Sequence, residues 1–217
     1  MWLMQPPGVY AAQGDTALLI EHLGRESLSP GCRVLDLGTG SGAVAVAAAR
    51  WGAAVTAVDV SRRALAAAWI NGALHGRRIS VRHGDLLEPV RSRRFDVVVS
   101  NPPYVPGLSE RLPAHGITRA WEAGPDGRTL LDRICHQVPQ VLVPGGVLLL
   151  VQSSICGVEL TQKALSASGL ETAVVARVRQ PFGPVMAARA AWFEERGLIA
   201  PGQRAEELVV IRGVRAA

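Results

Sequence analysis

An α/β fold, with a seven-stranded, mostly parallel sheet flanked by helices, is predicted by three features of the sequence. Short β-rich runs alternate with longer amphipathic or alanine-rich segments, the pattern of strand-helix-strand crossovers. A glycine-rich turn, Gly38 to Gly42, joins an apolar run directly to an alanine-rich one. Carboxylates, Asp36, Asp59 and Asp85, stand at or next to the ends of the first three β-rich runs.

The elements follow in order. A helical stretch around Asp15 to Leu23 precedes the turn Ser29-Pro30-Gly31, which opens the alternation. Strands are expected at Arg33–Leu37, Ala54–Val60, Ile79–His83, Phe95–Ser100, Gly146–Val151, Thr172–Arg179 and Glu207–Arg212. Helices are expected at Ala43–Arg50, Ser61–Leu74, Arg128–Val141 and Val158–Ser168. Ser61 reads as an N-cap, and Leu130, Leu131, Ile134 and Val138 recur at helical spacing after Gly127-Arg128-Thr129. The organisation expected is one domain over 1–217: an N-terminal helical segment (1–30), then an α/β core (31–217) with an insertion near 180–205. The insertion carries an extra helix at Val185–Glu195 but no role that its residues reveal.

With 217 residues, 48% of them apolar and 19% charged, the chain can bury a core, and neither wholesale disorder nor a repeat array fits. The net charge is +5 and the pI about 9.8, which suits an anionic partner such as nucleic acid. All but one of the basic residues are arginine, Lys163 being the exception, a skew that GC-rich codons also produce. Cys32, Cys135 and Cys156 are too few and too far apart for a disulfide framework or a zinc knuckle, so no metal is expected and a cytoplasmic location fits best. No apolar run approaches membrane-spanning length. His75, His83, His115 and His136 lack ligand spacing and read as surface or capping groups.

The stretch from Val34 to Ala43 makes a tight turn after a strand and before a helix N-terminus, where free N–H groups can meet a ligand. Read as Gly38-x-Gly40-x-x-Ala43, it also fits a dinucleotide fingerprint, with Asp59 placed for a ribose. Asp36 separates the two readings. Two residues before Gly38, its carboxylate would attract an amino group or a sulfonium and repel a pyrophosphate, which favours S-adenosylmethionine. Asp85, followed by Leu86, is placed to accept a hydrogen bond from an adenine amino group.

The fourth strand runs into Asn101-Pro102-Pro103-Tyr104. An amide or aromatic amino nitrogen is a poor nucleophile because its lone pair is delocalised, and its two N–H groups must be held. The Asn101 side-chain oxygen and the Pro102 carbonyl can accept those two hydrogen bonds and aim the nitrogen at a methyl group. Tyr104 can wall the planar group, and the prolines preorganise the acceptors. A sulfonium carries its own leaving group, so the chemistry requires neither a metal nor a strong base.

On these residues the chain resembles the Rossmann-like class I S-adenosylmethionine-dependent methyltransferases, and within them the HemK-like release-factor glutamine methyltransferases. Gly8-Val9-Tyr10, Gln13 to Thr16 and Leu18-Leu19 look like the family's N-terminal motif, whose threonine approaches the donor, which becomes S-adenosylhomocysteine. Val34 to Gly42 looks like the first nucleotide motif, Asp59 like the ribose acid, Asp85-Leu86 like the adenine contacts, and Asn101 to Tyr104 like the substrate motif. Ala120 to Arg128, leading into Asp132-Arg133, is the most specific likeness, and Trp121 within it lies next to the expected acceptor pocket. The resemblance implies cofactor contacts by Thr16, Asp36, Gly38, Gly40, Asp59, Asp85, Leu86 and Asn101, and substrate contacts by Asn101, Pro102, Pro103, Tyr104 and Trp121. It implies N5-methylation of the glutamine in a Gly-Gly-Gln loop of a peptide-chain release factor. The alternative is an exocyclic amino group of a DNA or RNA base, which the same two acceptors would hold identically. The chain is similar to the short branch without an N-terminal helical domain, which works with a small zinc-containing activator subunit.

Overall fold

The computed structural model of the chain describes residues 1–9, 12–109, 112–113 and 116–216. Helix α1 (Gly14–Leu23) leads into the alternation β1 (Arg33–Leu37), α2 (Ala43–Arg50), β2 (Ala54–Asp59), α3 (Arg62–Leu74), β3 (Ile79–His83) and β4 (Phe95–Ser100). The chain continues through α4 (Thr129–Gln137), β5 (Leu142–Ser153), α5 (Val158–Ala167), β6 (Leu170–Pro181), α6 (Pro184–Ala188), α7 (Ala190–Glu195) and β7 (Ala205–Arg215).

The seven strands form one sheet in the order β3-β2-β1-β4-β5-β7-β6. The pairs among β1 to β5 are parallel, and β7 runs antiparallel to both β5 and β6. The order reverses at β1, with β2 on one side and β4 on the other, and such a switch point leaves a crevice beyond the carboxyl ends of the strands. Residues alternate between two cores. Val34 of β1 joins Leu19 and Leu23 of α1 and the buried face of α2. Leu35 and Leu37 join Leu131 and Ile134 of α4, Leu165 of α5 and Phe193 of α7.

The alanines of α2 have a steric reason. Ala43 to Ala49 are all buried, and a Cβ on Gly42 would come within 2.7 Å of the Ala68 backbone in α3. Gly42 also holds φ +84, so a side chain there is excluded twice. Ser61 caps α3 as expected, its side chain accepting from the Ala64 N–H at 3.3 Å.

Several boundaries differ from the sequence expectation. The helix expected over Arg128–Val141 ends at Gln137, because Pro139 has no N–H to continue the ladder, and a 3-10 turn covers Val138–Gln140. Strand β5 begins four residues early: Pro144-Gly145-Gly146 stays within it as a bulge, Phe95 pairing with Leu142 before the register shifts to Val97 and Val147. Helix Val185–Glu195 divides into α6 and α7 at Arg189. This insertion belongs to the core: Phe182, Met186, Ala190, Phe193 and Ile199 pack in one cluster with Tyr104 and Val105. Among the described residues no helix is long and apolar enough to cross a membrane.

Candidate functional site

The parallel register brings four strand ends together. Leu37 lies beside Val58 and Ser100, and Asp59 beside His83. The loops that follow surround a crevice of about 770 Å³, within the range of small-molecule sites. Thr16, Asp36, Gly38, Gly40, Asp59, Asp85, Leu86, Asn101, Pro102 and Pro103 all line it.

Gly38 and Gly40 hold φ +76 and +54, and a Cβ built on either meets no protein atom closer than 4.0 Å. A side chain there would project into the crevice, so these two glycines leave the backbone open to a ligand. Asp59 accepts from the Gly40 N–H at 3.0 Å and the Ser61 N–H at 2.8 Å, which ties the glycine turn to the start of α3. Burial raises its pKa, opposed by those two amides. Asp36 is 2% exposed, and its Oδ2 accepts from Thr39 Oγ1 (2.6 Å) and the Ala45 N–H (3.0 Å). Burial pushes the Asp36 carboxyl up to about 6, against the pull of Thr39 and Ala45. A buried carboxylate facing a ligand space in this way suits a cation. Open glycines, strand-end acids and volume together fit an adenosyl sulfonium donor.

Asp85 is held differently from the sequence expectation. Its Oδ2 is bridged at 2.6 Å by Arg133 of α4, which also lines the crevice, so one carboxylate oxygen is engaged within the protein. Leu86 follows at φ +47, the one non-glycine residue with positive φ among the described residues. Its side chain packs against the core cluster, which holds the strained backbone in place at the crevice wall.

Asn101 is oriented by a chain of hydrogen bonds that begins in α1. Thr16 Oγ1 lies 3.2 Å from Asp15 Oδ1 and 3.1 Å from Asn101 Nδ2. A carboxylate only accepts, so the threonine hydroxyl gives its proton to Asp15 and turns a lone pair towards Asn101. The Asn101 group that meets it must then be the NH2, which leaves the amide oxygen free to accept on the other side. Asp15 Oδ1 also accepts from the Thr16 N–H at 2.6 Å, and Oδ2 from the Tyr104 hydroxyl at 3.0 Å.

Two expectations are corrected here. Tyr104 does not wall the crevice: the residue is 9% exposed and packs within the core, with its hydroxyl on Asp15. Trp121 does not line the crevice either; it packs against the core, with Nε1 buried and without a hydrogen-bond partner among the described residues. Its backbone serves instead, the Trp121 carbonyl accepting from the Val105 N–H at 2.7 Å and tying the two loops together.

Further groups complete the wall without a local signal in the sequence. Glu122 lines the crevice and pairs with Arg189 from the insertion, whose Nη1 also donates to the Pro106 carbonyl at 2.9 Å. The buried Arg128 guanidinium donates to the carbonyls of Cys156 and Gly157 and to Thr161 Oγ1, joining the start of α4 to α5. The Cys156 thiol in turn donates to the Tyr104 carbonyl at 3.0 Å. His75 and His83 touch the Trp2 and Val60 carbonyls as capping groups, whereas Tyr10 and His115 lie outside the described residues.

A sheet of this order, with a glycine turn and acids around its switch-point crevice, defines a Rossmann-like class I methyltransferase. A family model described as "Methyltransferase small domain" matches residues 1–120. A Methanocaldococcus jannaschii protein named "Putative protein N5-glutamine methyltransferase" is 34% identical over 181 residues, 83% of this chain and 90% of its own length. A release factor glutamine methyltransferase of Geobacter sulfurreducens is 36% identical over 150 residues, 66% of this chain and 52% of its own. The chain thus spans about half the length of that bacterial relative. Among solved structures, that of the E. cuniculi Mtq2-Trm112 complex, described as responsible for methylation of the eRF1 translation termination factor, superposes with a TM-score of 0.67. It is 24% identical and covers 96% of this chain and 99% of that one. The chain belongs to the methyltransferase small domain family and, within it, to the N5-glutamine methyltransferases.

Proposed function

We propose that the protein transfers a methyl group from S-adenosylmethionine to the side-chain amide nitrogen of a glutamine, and that the glutamine lies in the Gly-Gly-Gln loop of a peptide-chain release factor. The observation that carries this reading is the fixed orientation of Asn101: Thr16 occupies its NH2, so its carbonyl oxygen is an acceptor at the crevice beside Pro102. In this reading Asp36 faces the donor's cationic end, Asp59 holds the ribose hydroxyls, and Asp85 and the Leu86 backbone meet the adenine.

The bound donor supplies an electrophilic methyl on a sulfonium whose thioether leaves without acid assistance. The chain positions the acceptor. The Asn101 side-chain oxygen and the Pro102 carbonyl take one N–H each, draw the nitrogen lone pair out of conjugation, and strengthen their hold as positive charge grows on nitrogen. The two prolines keep both acceptors in place before the substrate arrives. A small activator subunit, of the kind named with the E. cuniculi structure, would complete the grip on a large protein substrate.

Incubation with labelled donor and purified release factor tests the assignment. Label should appear on the factor and vanish when the Gln of Gly-Gly-Gln is changed to Ala. Label on RNA or DNA instead, or label on the factor that survives this change, overturns it.

A further inference from the structure

Opposite the crevice, the sheet carries a second cleft of about 910 Å³ at the amino ends of β1 to β4. Five arginines line it: Arg33 at the start of β1, Arg77 and Arg78 before β3, and Arg93 and Arg94 before β4. Among the described residues no carboxylate lines it. Arg33 is neutralised by Asp96, which accepts from its Nε at 3.0 Å and its Nη2 at 2.7 Å. The other four are exposed, and none forms an ion pair among the described residues. Elsewhere Arg25, Arg128, Arg133, Arg177, Arg189, Arg204 and Arg212 each pair with an acid, while others, Arg62 and Arg63 of α3 among them, form no ion pair among the described residues. What distinguishes the cleft is that four such arginines face one space. These four guanidinium groups concentrate positive charge around one cleft, with Arg94 Nη1 also donating to the Arg91 and Arg93 carbonyls at 3.4 and 2.9 Å.

Arginines so arranged repel one another, and a multiply charged anion relieves that repulsion. Gly52 and Gly76 line the cleft, both exposed, and a Cβ on Gly76 would stand in open space, so side chains do not fill this part of it. Stable protein interfaces centre on a desolvated apolar or aromatic core beside their arginines. The larger apolar lining residues, Val55, Ile79 and Phe95, are each no more than 6% exposed and belong to the core. What the cleft presents to solvent is dominated by guanidinium donors from the loops before β3 and β4, with the half-buried Ser80 beside them, which matches a chain of phosphodiesters better than an acidic peptide.

We propose that this cleft binds the sugar-phosphate backbone of RNA, as a docking ligand and not as a methyl acceptor. Four phosphate contacts set the expected salt dependence. For a single strand, log K should fall against log salt with a slope of about −3. The site stands apart from the methyl-transfer crevice, so the inference does not depend on the reading given to that crevice.

The experiment is fluorescence anisotropy with a labelled 20-nucleotide RNA across a salt series. The wild-type protein is compared with R77A/R78A, R93A/R94A and the fourfold variant, and donor binding and thermal melting serve as fold controls. Binding should weaken about tenfold or more in each double variant and be lost in the fourfold one, with donor affinity unchanged. Absence of RNA binding by the wild-type protein at low salt overturns the proposal, as does binding that the four substitutions leave intact. Polyglutamate that competes as well as RNA overturns it in favour of an acidic protein, and inorganic phosphate that displaces RNA at equal phosphate concentration reduces the cleft to a single-anion site.

Discussion

The Tyr104 hydroxyl donates to Asp15 Oδ2 at 3.0 Å, so the last residue of the Asn101–Tyr104 motif is tied to the first turn of the N-terminal helix. Because the other oxygen of Asp15 holds Thr16, and Thr16 holds Asn101, one buried carboxylate positions both ends of the motif. Asp15→Asn introduces donors where the structure needs acceptors, and frees Thr16 and the Asn101 amide to turn over. We expect kcat to fall by about 100-fold, the scale of losing one preorganised acceptor, with the donor Kd changed by no more than a few-fold. Tyr104→Phe keeps the carboxylate and should cost roughly tenfold. Steady-state kinetics with calorimetric donor titration separates these effects, and a loss confined to donor affinity would refute the positioning role.

Asn101→Ala should abolish transfer while leaving donor affinity largely intact. Equal loss of both would mean that Asn101 holds the donor and not the acceptor. Equilibrium binding of the donor, measured beside single-turnover transfer, makes the distinction.

Asp36 should make donor binding pH-dependent. With a folded-state value of about 6 against an ordinary 3.8, the folded protein keeps a proton that the unfolded chain has released. Its contribution to stability is therefore fully present below pH 3.8 and is lost as pH rises through about 6, a change of about 3 kcal/mol. A cationic donor favours the ionised form, so its affinity should be about tenfold weaker at pH 5 than at pH 7 and level off above. Calorimetry from pH 5 to 8 reads this directly. Asp36→Asn should flatten the profile at low affinity, and a wild-type Kd that does not move across this range would contradict the role.

Arg189 should couple the insertion to activity. Arg189→Met keeps the aliphatic stem but strands Glu122 and the Pro106 carbonyl, so a stability loss of about 1–3 kcal/mol is expected. The crevice wall at Glu122 loosens with it, and KM for the protein substrate should rise while donor affinity holds. Denaturant unfolding and kinetics on the same preparation check both, and an unchanged KM would restrict Arg189 to stability.

Most of the nucleotide side was legible in the chain because its signals are local. A tight turn needs glycines wherever it occurs, and an acid at a strand end is placed by the strand that carries it. Thus Gly38, Gly40, Asp36 and Asp59 could be read as neighbours before any packing was known. Pro139 was legible too, and weighing its missing N–H would have ended α4 near Gln137. The acceptor side was only partly legible. Tyr104 and Trp121 carry side chains that suit a substrate wall, and nothing local says that both turn to the core.

The sequence by itself determined the class of fold, the seven strands and the motif from Asn101 to Tyr104, since period, glycine placement and proline stiffness act over a few residues. The tertiary structure decided what long-range contact decides. Asp15 orients Asn101 across 86 residues, Arg189 props Glu122 across 67, and the arginines of three loops meet around one cleft. That arginines distant in the chain face one cleft is decided only by the fold, because parallel pairing gathers the amino ends of the strands on one side and their carboxyl ends on the other.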